Sequence, residues 1–592
     1  MRRYFLAIAL VSIVPCLSFA QFSEKAVTTI EKAMRDEMER SKGQLHLSGL
    51  IDPFYISYSA ADNQRLDVAA SFGAITRSTQ LHSRALNLRL LINNYQFNDE
   101  NFSDASSMFG GGTSIDMNLP LDEDYNNVRR AYWLATDNLF KDANETFTKK
   151  KAALERKQLP EEDRNLADFS QAPGIEVIQP AIAFAANKAK QEELVKQISA
   201  VFLKYKQIQN CTATLSYVNN YRLQISTENT HTRTPYTECT LTIQATAQAQ
   251  DDGEPLSLAF TITEASPNDL PPVAELMSRT EKLASDLVAL SQAPKYNDKE
   301  YSGPVLFEAS AASDFISEQI VAKFSAKRDD PLGGGDIFFS GGGKGGNFQK
   351  KLETRILPAS VNVIDDPLAL DKTAAHPLLG AYAVDEEGVA PRRLQLVKDG
   401  ILKTLYMSRT PTKEVKEPNG HSRPNIGGGG MAVGAGILTL TDAKAKPMAD
   451  LKKELLRIAK EDGYDYALVV RSTQMGMLNF SEGLSSVSDL VEGSKAMQPA
   501  LVYKVYANGK EELVRGLEIN FPTTRDLKEL QFSKESATRN MQMAAGAGAG
   551  LFGFANKIPA TLVGPTTILV PELEARKKQV SAYPIKPIVE RP

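Results

Sequence analysis

The sequence predicts an α+β protein: a helix and an antiparallel sheet first, then a mixed, β-rich region. Three observations carry this. Short runs that alternate apolar and polar residues cluster in 54–92 and 212–262, the period of half-buried strands. Long runs with apolar residues at three- and four-residue steps lie between and beside them, the period of helices. After residue 380, strand-like runs are punctuated by glycine turns. A chain of 592 residues buries a large core and divides into two or more domains.

The N-terminus stands apart. Arg2-Arg3 precede an apolar run from Tyr4 to Cys16, then small residues at Ser18 and Ala20. That is the order of a secretory signal peptide, cut before Gln21. The rival reading, a membrane anchor, is disfavoured by a run that is short for a span and contains Pro15. Losing Arg2 and Arg3 with the leader takes the net charge from −4 to −6, so electrostatics give no reason to expect nucleic acid. Lys149-Lys150-Lys151 fall on a helical stretch and read as a solvated face. Cys211 and Cys239 remain in the exported chain; a disulfide between neighbouring strands and two separate buried thiols are both open.

In order, 21–41 is an amphipathic helix with Ala26, Ile30 and Met34 in step. Strands follow at 54–59, 66–72 and 87–92, and 101–119 reads as a loop rich in Ser, Gly and Asp. A long helix from Asp122 buries Val128, Tyr132, Leu139 and Phe140, with the sole Trp, Trp133, packed beside Phe140. A second long helix carries Leu194, Ile198, Val201, Phe202 and Tyr205. Strands 212–218 and 221–226 are joined by Asn219-Asn220 as a tight turn, and 240–245 and 258–262 extend the sheet. A helix from Pro272 to about Leu290 closes this half.

The glycine runs 333–335 and 341–346 do not make a phosphate loop. Walker spacing would need Gly at Phe338 and Ser or Thr at Gly345. They read as surface loops, as does 427–430. Ala544 to Phe554 reads as an insertion or flexible turn.

The chain is organised around Val305 to Phe315, a short apolar strand that runs straight into a helix with Phe315, Ile316, Ile320, Val321 and Phe324 in helical step. Further on, Gly380 to Pro391 with Asp385, Glu386, Glu387 and Gly388 leads to a hairpin over 394–403. A late hairpin follows over 500–516, then a closing strand from Thr567 to Glu572. Together these stretches resemble the TldD/PmbA family, the "modulator of DNA gyrase" metallopeptidases. The resemblance departs at Ala390, where the family's Asp-x-Glu-Gly-x-Pro turn has proline. By composition, the carboxylates of such a turn are expected to be solvated.

Active members of that family carry a His-Glu-x-x-x-His motif at the central stretch and a distant downstream Cys. The resemblance implies a divalent ion, zinc, held by the two His and the Cys, with the Glu as general base. Here Phe307 and Ala312 stand at the two His positions, Glu308 at the Glu position, and no Cys follows Glu308. Neither Phe nor Ala ligates a metal. Two His five apart lie about 140° apart on an ideal helix, so the motif needs a distorted helix or a loop. The histidines outside the leader are His46, His82, His231, His376 and His421; the last two, downstream of the motif, read as surface residues. Glu308 itself reads as a first-turn helix carboxylate, and Asp314 as structural. Gly420-His421-Ser422-Arg423-Pro424 fails the nucleophile-elbow pattern at Pro424.

The resulting expectation has a signal peptide (1–20), an N-terminal α+β domain (21–295), a C-terminal domain of TldD/PmbA type (296–575) and a tail (576–592). The leader predicts an exported, periplasmic chain, whereas the best-known members of the family it resembles are cytoplasmic. The resemblance implies a metal-free subunit, with no cofactor of its own, that forms a homodimer or pairs with a metal-bearing TldD-like paralogue holding zinc, and a peptide substrate. A metallopeptidase with relocated ligands and a stand-alone peptide-binding module are the alternatives.

Overall fold

A computed structural model of the chain describes residues 23–578, except 103–113, 158, 299, 329–346, 370–375, 427–429, 474–495, 498 and 550–554. The leader 1–20, the glycine runs 333–335 and 341–346, and tail residues 579–592 lie outside the described residues.

The alternating runs of the N-terminal half form one seven-stranded sheet. Its strands are β1 (Pro53–Ser71), β2 (Ala74–Ile92), β3 (Ser114–Asn118), β4 (Glu176–Ile178), β5 (Ile208–Ser226), β6 (His231–Gln248) and β7 (Pro255–Glu264). The order is β3-β2-β1-β5-β6-β4, with β7 also on β6. Every pair is antiparallel except β4 with β6.

Several local expectations give way here to long-range pairing. The strands expected at 54–59 and 66–72 are one, because residues 60–65 between them pair on both sides with β2 and β5. The chain reverses only at Phe72-Gly73, both at positive φ (47° and 82°), as a two-residue hairpin turn requires. Asn219-Asn220 are not a turn. They sit inside β5 opposite Thr237 and Tyr236, and their amides bond to the Ile182 carbonyl (2.8 Å) and to Asn63. Part of the expected loop 101–119 is β3. The two cysteines are free, buried thiols. Cys211 lies opposite Ala245 and Cys239 opposite Tyr217, a separation along the ladder of about 20 Å.

Helices α1 (Glu24–Gln44), α2 (Tyr125–Arg156), α3 (Lys188–Ala200) and α4 (Val273–Gln292) cover this sheet. Ser23 caps α1 and Asp124 caps α2 through their side-chain oxygens. α1 buries Ala26, Ile30 and Met34, and α2 buries Val128, Tyr132, Leu139 and Phe140, against Tyr58, Leu88 and Leu223. At the other end, α3 and α4 pack on Leu66, Leu215 and Ile243. Trp133 is not a packing residue: it is 45% exposed, flanking the buried stripe rather than lying on it. Lys150 corrects the solvated-face expectation in the opposite sense. It is buried, because its ammonium donates to the carbonyls of Asn98 (2.9 Å) and Glu100 (2.5 Å) and to Asp168 (2.5 Å).

The C-terminal half is built on two mixed sheets. Its strands are β8 (Glu300–Glu308), β9 (Val361–Asp365), β10 (Leu394–Lys398), β11 (Ile401–Leu402), β12 (Ser422–Pro424), β13 (Met431–Val433), β14 (Ile437–Asp442) and β15 (Tyr466–Thr473). Then come β16 (Ala496–Met497), β17 (Pro499–Tyr506), β18 (Glu511–Val514), β19 (Leu517–Asn520), β20 (Gln531–Phe532), β21 (Ser536–Ala549), β22 (Ala555–Pro565) and β23 (Thr567–Lys577). One sheet runs β16-β19-β23-β8-β15-β17-β18, with β20 on β23; the other runs β11-β10-β9-β14-β22-β21. β8 pairs parallel with β15 and antiparallel with β23. The expected hairpins are β10–β11 and β17–β18, and the closing strand is β23. Residues 544–549, expected in an insertion or turn, continue β21.

β8 lies inside its sheet and is covered on both faces, which is why Val305-Leu306-Phe307 reads as a continuous apolar run. Leu306 packs under helix α6 (Met448–Glu461) with Leu451 and Leu455. Val305 and Phe307 point the other way, into the main C-terminal core. Among the described residues no helix is long and apolar enough to cross a membrane.

Candidate functional site

The strand-to-helix junction is where the resemblance would place chemistry. Glu308 ends β8, and Ala309 turns the chain with φ 55°, a conformation that a β-carbon disfavours. Its N–H is held by the Thr566 carbonyl at 3.0 Å. A short helix, α5 (Ser310–Phe315), then widens into a π-helical turn at Ile316–Ile320 and tightens to a 3₁₀ turn at Val321–Phe324. The two motif positions do not share a helix: Phe307 lies on β8 and Ala312 on α5, on either side of the turn at Ala309, and the distorted turns come after both. Phe315, Ile316, Ile320, Val321 and Phe324 are all buried.

The two ligand positions have become core. Phe307 and Ala312 are 1% and 0% exposed, and the Phe307 ring lies 4.9 Å from that of Phe315, centroid to centroid. Glu308 is not a first-turn helix carboxylate. It sits on the strand side of Ala309 and pairs with Lys452 of α6 (2.7 Å) and Arg471 of β15 (3.0 Å). Burial pushes its carboxyl up, but the bonds to these two cations outweigh that and hold it below the usual value. A carboxylate so engaged is poorly placed to take a proton from water.

One turn on, Asp314 accepts a hydrogen bond from Thr473 (2.6 Å), and Arg539 donates to Ser313 (3.0 Å). Burial raises Asp314 and Glu318 and lowers Arg539. Ser317 accepts from the Ala544 N–H (2.9 Å) and Ser325 from the Gly546 N–H (3.0 Å). The junction is thus stitched to β21 by hydroxyls.

His421 was expected at the surface and is fully buried. Its Nδ1 donates to the Asn419 carbonyl (3.0 Å), which fixes the proton there, and its Nε2 faces Asp365 at 3.3 Å. Asp365 also accepts from Tyr406 (2.8 Å) and from the Gly436 N–H (3.0 Å). No sequence signal joins His421 to a partner 56 residues away. His376 is exposed, with Nδ1 3.7 Å from Asp269.

Asp385, Glu387 and Gly388 of the acidic turn are buried, against expectation, and Glu386 is half-buried, because the turn docks on the N-terminal sheet. Asp385 accepts from the N–H groups of Glu387, Val389 and Ser422 at 2.8–3.1 Å. Burial, with Glu387 beside it, pushes its carboxyl up to about 7. Glu387 pairs with Arg89 of β2 (2.6 Å) and accepts the Arg409 N–H (2.7 Å). Glu386 pairs with Arg222 of β5. Gly388 has φ 77°, and a β-carbon there would stand 2.8 Å from Thr230 Cγ2, so the position needs glycine. The turn forms despite Ala390, closed by the bond from the Asp385 N–H to the Val389 carbonyl (2.9 Å). Beside it, Arg409 is 1% exposed. It donates to the Ser170 carbonyl, pairs with Glu228 (2.7 Å) and lies 4.0 Å over the Phe169 ring.

With this geometry in hand, the chain can be set beside known proteins. Residues 299–488 match the family model of the PmbA/TldA metallopeptidase C-terminal domain. Three solved structures resemble the chain over nearly its whole length. One, a modulator of a DNA gyrase from Thermotoga maritima, has a TM-score of 0.56 at 13% identity, covering 92% of this chain and 99% of that one. TldE from Thermococcus kodakarensis scores 0.55 at 14% identity, with 92% and 99% covered. A modulator of DNA gyrase from Bacteroides thetaiotaomicron scores 0.52 at 12% identity, with 94% and 100% covered. The fold is that of the TldD/PmbA family. No curated protein is similar enough in sequence to match.

The metal of the TldD/PmbA motif does not fit the residues present. Phe307 and Ala312 offer no lone pair and face the core, and Glu308 is committed to Lys452 and Arg471. His376 and His421 do not replace them: each lies among its own partners, Asp269 and Asp365–Asn419. Among the described residues no group of three or more His, Cys, Asp or Glu is placed to hold a metal ion.

Proposed function

We propose that this chain is an exported, metal-free member of the TldD/PmbA group that acts as the non-catalytic partner of a metal-bearing metallopeptidase subunit. The observation that carries the reading is the conversion of both ligand positions into core. Phe307 and Ala312 are packed where an active site would need imidazoles aimed at solvent. A junction that forms the strand-to-helix scaffold while filling the ligand positions is fit to support an assembly rather than perform hydrolysis. The chain shares the fold of TldE from Thermococcus kodakarensis. Export rests on the leader residues alone.

Metal content tests it. The purified chain is expected to hold no stoichiometric zinc, and zinc with peptide cleavage is expected only after co-expression with a metal-motif paralogue. One tightly bound zinc per isolated chain would overturn the reading, as would failure to associate with any such paralogue.

A further inference from the structure

The segment 165–187, between the helical turn Glu161–Arg164 and α3, contains no regular element but the short β4. It is nonetheless a strap between the two halves. Ser170 donates its N–H to the Arg409 carbonyl (2.8 Å) and its hydroxyl to the Lys416 carbonyl (3.0 Å). Further along, β4 pairs with the start of β6. There the His231 N–H reaches the Ile175 carbonyl (2.8 Å) and the Gln179 N–H the Arg233 carbonyl (2.9 Å). Between these two anchors the strap runs close to the turn that joins β5 to β6. A β-carbon at Gly174 would stand 2.5 Å from the Glu228 carbonyl oxygen.

The His231 side chain closes the second anchor. Its Nδ1 lies 3.1 Å from Glu176 of β4 and its Nε2 2.9 Å from Glu31 of α1. Both partners are carboxylate oxygens, which accept hydrogen bonds and do not donate them when ionised. A neutral imidazole has one N–H and would turn its other lone pair toward one of the two. Only the doubly protonated ring satisfies both. Glu31 is the firm side. It is 7% exposed and takes Arg233 at both oxygens (2.8 and 2.7 Å). Burial pushes its carboxyl up, but the bonds from Arg233 and His231 outweigh that and hold it below the usual value. Glu176, with a side chain 74% exposed, is the loose side. The other charged and titratable groups of the cluster have partners of their own. Glu24 of α1 is held by Arg233 (3.2 Å), Tyr221 of β5 donates to the Gln179 carbonyl (2.7 Å), and Glu228 pairs with Arg409 (2.7 Å).

We propose that His231 is a proton-dependent clasp on the strap. As imidazolium it ties Glu176, and with it β4, to Glu31 of α1; as neutral imidazole it keeps Glu31 and releases Glu176. An imidazole exchanges this proton between about pH 5 and about pH 8. The bond to Glu176 needs the charged ring, so what it lends to the strap is present at low pH and lost as pH rises. The proposal does not rest on the partner-subunit reading, since it concerns the isolated chain and needs no metal.

The test is amide hydrogen exchange of the strap in the full exported chain at about pH 5.5 and about pH 8.5, corrected for the intrinsic pH dependence of exchange. Protection over 175–179 is expected to fall about threefold between the two in the parent. His231→Gln keeps a donor but does not titrate, and Glu176→Gln offers a side chain that pairs with either form of the ring. Each is expected to abolish the fall. Because Glu176 is exposed, a folding defect does not stand in for the effect in that variant. A parent without the fall, or a fall of equal size in His231→Gln or Glu176→Gln, would overturn the proposal.

Discussion

The strand-to-helix junction and the acidic turn at 385–388 are the two stretches in which the resemblance to TldD/PmbA is most concrete, and they differ in what they have kept. At the junction the strand-to-helix entry is built, with β8 and the strained Ala309, while the ligand positions are hydrophobic core. At the turn the carboxylates remain, and each is consumed by backbone N–H groups or by arginines of the other half of the molecule. The difference teaches that a carboxylate in a family motif is no mark of chemistry by itself. Glu386 and Glu387 hold two halves together, and Glu308 pins a helix to the ends of two neighbouring strands.

Four perturbations break or sharpen that contrast. The largest effect is expected at the turn's neighbour. Arg409→Ala removes a buried guanidinium and strands Glu228 and the Ser170 carbonyl, which should cost about 4 kcal/mol of stability in urea unfolding. A cost below about 1 kcal/mol would mean that the two halves are not held by these pairs.

At the junction, Phe307→His with Ala312→His restores the motif's ligands but buries polar rings and overfills the core. About 3 kcal/mol should be lost, with no zinc acquired by the isolated chain. A variant of parent stability that binds one zinc would show that the apolar filling is incidental.

The third test uses pH. Asp99, buried with Oδ2 unpartnered among the described residues while Ile92 N–H bonds its other oxygen, has its carboxyl pushed up by burial to about 7. The unfolded chain ionises near 4, so folding stability falls as pH rises from about 4 to about 7 and is level above that. Asp99→Asn should remove this decline and gain about 2 kcal/mol at pH 8, roughly half the full linkage value, since buried sites relax. An unchanged pH profile would show that Asp99 ionises freely.

The smallest effect is expected for Glu308→Gln. Its partners are partly exposed, so about 1 kcal/mol of stability should go, and peptide cleavage by a complex with a metal-bearing paralogue should keep its rate. A hundredfold loss of that rate would instead give Glu308 a catalytic role.

Much of the fold was legible in the sequence because it is set by local period. The helical steps of Ala26, Ile30 and Met34, the buried face of α2, and the apolar run of β8 all follow from side-chain spacing. The loss of the ligands was legible too, since Phe307 and Ala312 are simply the wrong chemistry. What failed were residues whose fate depends on distant partners. Asn219-Asn220 carry a turn signature, but β1 and β6 flank them and impose an extended backbone. Lys150 sits in a run of lysines and is drawn inward by carbonyls some 50 residues earlier in the chain. His421 looks like a polar-turn histidine until Asp365 and Tyr406 close over it.

The sequence by itself determined the order of helices and strands, the apolar central strand, and the absence of imidazoles from the motif positions, because each is a property of neighbouring residues. Only the tertiary structure decided that most of the acidic turn is buried, that Glu308 is tied to Lys452 and Arg471, and that the cysteines stand apart. Pairing and desolvation depend on which groups the folded chain brings within a few ångströms, and no local pattern encodes that.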